Sequence, residues 1–130
     1  MSTYSTFSNL PIEEKISQEL LNTVPNIIDN SHKEYIITNN NFVCINTYAE
    51  WCSPCKKFAP KYVELCHKYN GCCVLVKENA DLHLQPYKNT PQVGGVPAFS
   101  FYKLGEHVET FTGADLNRIE NTINRLLGLV

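Results

Sequence analysis

The chain has 130 residues, of which 43% are hydrophobic and 18% charged, a balance that suits one globular domain with its own buried core. Its net charge is −2, with only Arg118 and Arg125 as guanidinium groups and no basic stripe, which argues against a nucleic-acid partner. The longest apolar runs, such as CCVLV at 72–76, are far too short to span a bilayer, and MSTYSTFSNL lacks the basic and apolar regions of a secretory signal. The expected setting is therefore cytoplasmic and reducing, with no membrane partner.

Along the chain, residues 1–9 read as a Ser/Thr-rich tail. Pro11, Glu13 and Glu14 suit the first turn of a short helix, and Ile12, Ile16 and Leu20 give it one apolar stripe. Pro25 stops it, so residues 1–25 form an N-terminal extension and 26–130 the main domain. NIID at 26–29 reads as a short strand, and Ser31 as the cap of a helix over HKEYIIT. After the loop Asn39–Asn41, FVCINTYA (42–49) reads as a buried strand. Pro54 to Tyr69 reads as a helix with Phe58, Tyr62, Cys66 and Tyr69 on one face and a kink expected at Pro60. Asn70-Gly71 stops it, and CCVLVK (72–77) is the next strand. The polar segment 79–92 has room for a short helix. AFSFYK (98–103) and EHVETF (106–111) form a hairpin about Leu104-Gly105. Asp115 caps a last helix, whose core stripe is Leu116, Ile119, Ile123 and Leu126 and whose stop is Gly128.

Strands separated by helices imply parallel pairing, and the closing hairpin adds an antiparallel edge. The fold class is thus α/β, with a mixed central sheet and helices on both faces. No internal repeat or interdomain linker is visible.

Chemistry concentrates in YAEWCSPCKKF, residues 48–58. Cys52 follows a buried strand and precedes a helix that Pro54 helps to start, so a thiolate there faces unsatisfied N–H groups and the positive end of the helix dipole. Such placement lowers a thiol pKa, and Lys56 and Lys57 add positive charge. Cys55 lies one helical turn on, close enough to resolve a mixed disulfide made by Cys52. Trp51 offers an apolar docking surface. Cys44, Cys66 and Cys73 read as small core hydrophobes, whereas Cys72 reads as an outward thiol open to oxidation. Cys72 and Cys73, alternating across a strand, are not expected to bridge.

The string YAEWCSPCK resembles the active site of the thioredoxin family, W-C-G-P-C-K, with Ser53 in place of glycine. The likeness runs from about residue 26 to the C-terminus and includes GGVPAF (94–99), FTGAD (111–115) and the hairpin Gly105. It implies a three-layer thioredoxin-like fold and thiol–disulfide exchange on protein substrates, most often as a reductant re-reduced by an external reductase, with no cofactor or metal. By the same resemblance Cys52 is the attacking thiol and Cys55 the resolving one. Pro97 is cis, Val96 presents backbone groups to an extended substrate segment, and Trp51 and Pro54 shape the site. The family's buried aspartate, six residues before the first cysteine, is replaced here by Asn46, while its lysine matches Lys77. Asn46 cannot relay a proton, so release of the mixed disulfide is expected to slow. Histidine, typical of disulfide isomerases where Pro54 stands, is absent, which favours a reducing potential.

Other readings remain open at this level. A zinc site needs spaced ligand pairs, and Cys66-His67 and Cys72-Cys73 are poorly spaced for one. A static Cys52–Cys55 bridge would close too short a loop to stabilise much. The fold could also serve as a redox-weak binding module, or as an oxidase or isomerase. Lys56, Lys57 and Lys61 read as a solvated helix face. The first helix's stripe either docks on the domain or forms a weak homodimer contact.

Overall fold

The structure, a computed structural model, describes residues 24–129. The expected tail, first helix and stripe Ile12, Ile16 and Leu20 lie outside the described residues. Within them, α1 spans Asn30–Thr38, β1 Phe42–Tyr48, α2 Ser53–Lys68, β2 Val74–Asn79, β3 Ala98–Lys103, β4 Glu106–Thr112 and α3 Leu116–Leu127.

The strands pair in the order β2-β1-β3-β4. β1 and β2 are parallel, with Asn46 opposite Lys77, while β1/β3 and β3/β4 are antiparallel. Side chains alternate across this mixed sheet and so feed two cores. On one face Cys44, Leu75, Phe99 and Phe101 pack with Phe58, Tyr62, Ile119 and Ile123 of α2 and α3. On the other, Val43, Ile45, Val76 and Tyr102 pack with Ile27 and with Ile36 and Ile37 of α1. Phe58 meets Phe99 edge to face, ring centroids 5.5 Å apart. The Tyr62 hydroxyl, fully inside, donates to the Val76 carbonyl at 2.7 Å, so this buried polar group is satisfied.

Several boundaries differ from the sequence reading for identifiable reasons. Asp29 rather than Ser31 caps α1: its Oδ1 accepts from the His32 amide at 2.8 Å, and the helix starts earlier. Residues 26–29 make no strand but one bridge, in which the Lys77 amide donates to the Pro25 carbonyl at 3.0 Å and the Ile27 amide donates to the Lys77 carbonyl at 2.8 Å. β2 begins at Val74, not Cys72. Gly71 takes φ +83°, and the amides of Cys72 and Cys73 turn back to the Tyr69 carbonyl, so both cysteines belong to the turn. Between β2 and β3 there is only a 3₁₀ turn, Ala80–Leu82, and no α-helix. α2 runs through Pro60 as one helix, and Gly128 closes α3 at φ +73°. Asp115 caps α3, its Oδ1 accepting from the Arg118 amide at 3.1 Å.

Candidate active site

β1 ends at Tyr48, and the short connection Ala49–Trp51 delivers Cys52 to the N-cap of α2. Cys52 is extended there (φ −91°, ψ 108°), and its sulfur accepts the Cys55 amide at 3.2 Å. Pro54 suits the first turn because it has no N–H to satisfy. Cys52 and Cys55 form a disulfide, with Cα atoms 5.3 Å apart. Both are buried, and with Ala49 they form a small apolar cluster against which Val96 and Tyr48 pack. The Val96–Pro97 peptide is cis. The Pro97 carbonyl accepts the Gly113 amide at 2.8 Å, which ties it to the FTGAD turn at the end of β4. The sheet, α2 and the FTGAD turn thus converge on one point.

Trp51 is 70% exposed, a large apolar surface left outside the core. Its Nε1 donates to Asp81, at 3.1 and 3.2 Å from the two carboxylate oxygens. Asp81 is itself fixed by Asn79, whose Oδ1 accepts the Asp81 amide at 2.9 Å. Neither residue stood out in the sequence. The only signal was Asn-x-Asp after a strand, a pattern common to many turns.

Asn46 lies in the middle of β1 and is 6% exposed, and its Oδ1 has no hydrogen-bond partner. Lys77, its cross-strand neighbour, is half-buried and holds its Nζ 5.5 Å from the centre of the Tyr48 ring. Ser53, Pro54 and Lys56 are exposed on the first turn of α2. Among the described residues no cluster of three or more His, Cys, Asp or Glu side chains is arranged to hold a metal ion.

The remaining thiols lie elsewhere. Cys44 is fully enclosed in the core, and burial pushes its pKa well up. Burial likewise pushes Cys66 up to about 11 and Cys73 up to about 12. Cys72 alone is exposed.

A sequence model of the thioredoxin family matches residues 23–125. Thioredoxin-T of Drosophila melanogaster is 32% identical over 101 residues, which make up 78% of this chain and 64% of that protein. Thioredoxin of Gallus gallus is 32% identical over 108 residues, covering 83% of this chain and all of its own length (100%). Among solved structures, a chain from the crystal structure of a ferredoxin:thioredoxin reductase and thioredoxin f2 complex superimposes with a TM-score of 0.69 at 28% identity, over 78% of this chain and 93% of that one. No helix among the described residues is long and apolar enough to cross a membrane. The family match and the paired cysteines at the head of α2 agree, and the chain belongs to the thioredoxin family of thiol–disulfide oxidoreductases.

Proposed function

We propose that this chain reduces disulfides in protein substrates, with Cys52 as attacking thiol and Cys55 as resolving thiol. The observation that carries this is the Cys52–Cys55 pair at the N-terminus of α2, packed against Val96 beside exposed Trp51. In the dithiol form the Cys52 thiolate lies against the first-turn amides and the positive end of the helix dipole, which favour the anion. It attacks one sulfur of the substrate disulfide, forming Cys52–S–S–R, and the departing thiolate takes a proton from solvent. Cys55 then gives up its proton and attacks the Cys52 sulfur. The second substrate thiol leaves, and the disulfide described here remains. Two electrons pass to the substrate and must be restored by an external reductase. The match to a chain from a complex with ferredoxin:thioredoxin reductase supports that kind of partner.

Trp51 supplies apolar contact for the substrate, Val96 its backbone groups, and Pro97 the wall beside the sulfurs. Ser53, Pro54 and Lys56 shape the entrance to α2, and Asn46 with Lys77 forms the polar floor of the site. A reducing cytoplasmic compartment suits a dithiol that must be regenerated, and the working unit is residues 26–130 as a monomer or weak homodimer, with 1–25 an appended extension. A Cys55→Ser variant incubated with an oxidised protein substrate should accumulate a mixed disulfide through Cys52, visible by intact mass, and Cys52→Ser should form none. Equal trapping by the Cys52→Ser variant would overturn the assignment.

A further inference from the structure

At the end of the sheet away from the disulfide lies a cleft of about 870 Å³. Its apolar lining comes from Phe42 at the start of β1, Val74 and Leu75 at the start of β2, and Leu127 and Leu129 at the end of α3. The core is open here. Phe42 and Leu127 are only partly buried against it, and Leu129 is 66% exposed. Among the described residues no Lys, Arg, Asp or Glu lines the cleft, so nothing in it would fix a charged ligand. Its apolar walls gain instead by being covered.

The chain itself leads to this cleft. Asn26 bridges Lys77 in the parallel sense, so the path back from Asn26 to Val24 runs towards the start of β2. Val24 is 4% exposed and packs in the same core cluster as Cys73 and Leu75, and Pro25 is itself part of the cleft lining. The chain before Val24 is thus aimed at the cleft mouth. There PIEEKISQEL (11–20) carries Ile12, Ile16 and Leu20, which the sequence predicts on one face of a helix. A helix of that length is about 15 Å long, and Leu20 can lie no more than about 14 Å from Val24 even with the chain between them fully extended. A tether this short holds the stripe beside the cleft at an effective concentration in the millimolar range, far above that of a second copy in ordinary solution.

We propose that residues 11–22 fold back onto their own domain as a helix, seat Ile12, Ile16 and Leu20 in this cleft, and so close the core at the pole opposite the redox site. The proposal rests on the sequence reading of an amphipathic helix in this segment and is independent of the direction of electron flow. β1 separates Phe42 from Tyr48 by about 20 Å, so an occupied cleft leaves Trp51, Cys52 and Val96 uncovered.

The thiols of Cys66, Cys72 and Cys73 line the cleft and serve as reporters. In the full chain, with Cys52 and Cys55 oxidised, Ile16→Cys is treated with diamide in dilute solution and mapped by peptide mass without reduction. An intramolecular bridge to Cys72, or to Cys66 or Cys73 beside it, is expected. Gln18→Cys is the control, because position 18 lies about 200° round the helix from position 16 yet two residues nearer the tether. Its bridge should form about tenfold more slowly. A tail that does not dock brings position 18 to the cleft at least as often as position 16, so equal or faster bridging by Gln18→Cys overturns the proposal. A bridge between two chains overturns it as well, since a second copy is then the occupant, and so does the absence of any bridge to the cleft in Ile16→Cys. Adding Ile12→Ser/Leu20→Ser to both proteins removes the apolar stripe and should bring the two rates to within about twofold. Persistence of the tenfold preference without the stripe would also overturn the proposal.

Discussion

Burial divides the cysteines into two chemical populations. A thiol held near pKa 11 or 12, as Cys66 and Cys73 are, presents at most about one thiolate in a thousand at pH 8, and only the thiolate reacts quickly. Cys44 is further shielded by complete enclosure. Iodoacetamide at pH 8, applied to the oxidised protein, is therefore expected to label Cys72 first and nearly alone among the four free cysteines, as read by peptide mass mapping. Labelling of Cys66 or Cys73 at the rate of Cys72 would contradict the burial argument. Asn46 poses a different question. Its unpartnered Oδ1 carries a desolvation penalty of about 1–3 kcal/mol, and the side chain has no proton to exchange. Asn46→Asp restores a titrating carboxyl, which burial should hold above the usual carboxylate range. Release of the mixed disulfide is expected to accelerate by about tenfold or more and to acquire a new pH dependence. An unchanged rate with an unchanged profile would show that Asn46 is not limiting. At this scale the sequence exposed what is contiguous: Trp51, both redox cysteines and Pro97 stand in recognisable strings. It did not expose Asp81, which meets Trp51 across 30 positions, or Glu78, which meets Lys33 across 45. Such pairs depend on which elements pack together, and local spacing carries no trace of that.

Elements whose side-chain period and end signals agree were legible. The β3/β4 hairpin follows from alternation about Leu104-Gly105, which take φ +52° and +80° as a tight two-residue hairpin turn requires. α3 follows from its Asp115 cap, its apolar stripe and Gly128. Expectations failed where turn geometry overrode composition, as at Cys72-Cys73, which read as strand but complete the turn after α2. The hairpin also carries a pH response. His107 on β4 is opposite Tyr102, its ring 5.6 Å from the tyrosine ring and its Nε2 2.7 Å from Thr110 Oγ1. Burial lowers its pKa below the usual 6.5, with Glu109 opposing the shift in part. The unfolded chain thus takes up a proton at His107 more readily than the folded one. The stability this contributes is complete above pH 6.5 and is lost as pH falls towards the folded value. In His107→Gln the loss of thermal midpoint between pH 7.5 and 5.5 should be smaller than in the wild type. An identical loss in both proteins would place the acid response in the carboxylates alone.

For the whole molecule, the mixed sheet sets the chemistry by bringing the end of β1, the head of α2 and the start of β3 to one place. That convergence was predictable from strand and helix order, because parallel β1 and β2 require a crossover and α2 supplies it. The path of residues 83–97, which carry neither helix nor strand, was not predictable, since a segment without periodicity takes its shape from the groups it meets. The direction in which the protein moves electrons is likewise a property of the whole site. Reduction is favoured to the extent that the dithiol is not over-stabilised, and Pro54 contributes no positive charge to the Cys52 thiolate. A midpoint near about −270 mV, in the range of thioredoxins, is therefore expected in dithiothreitol buffers read by alkylation and mass. Pro54→His places a titratable group in the same helix turn, and its imidazolium form attracts the Cys52 thiolate by about 1–2 kcal/mol at a partly solvated site. Since 30 mV corresponds to about 1.4 kcal/mol for this two-electron couple, the midpoint should rise by about 20–40 mV. A wild-type midpoint nearer about −180 mV would instead make the protein an oxidant or isomerase. The same geometry at Cys52 and Cys55 would then serve electron flow in the opposite direction, and the partner to seek would be an electron acceptor in place of a reductase.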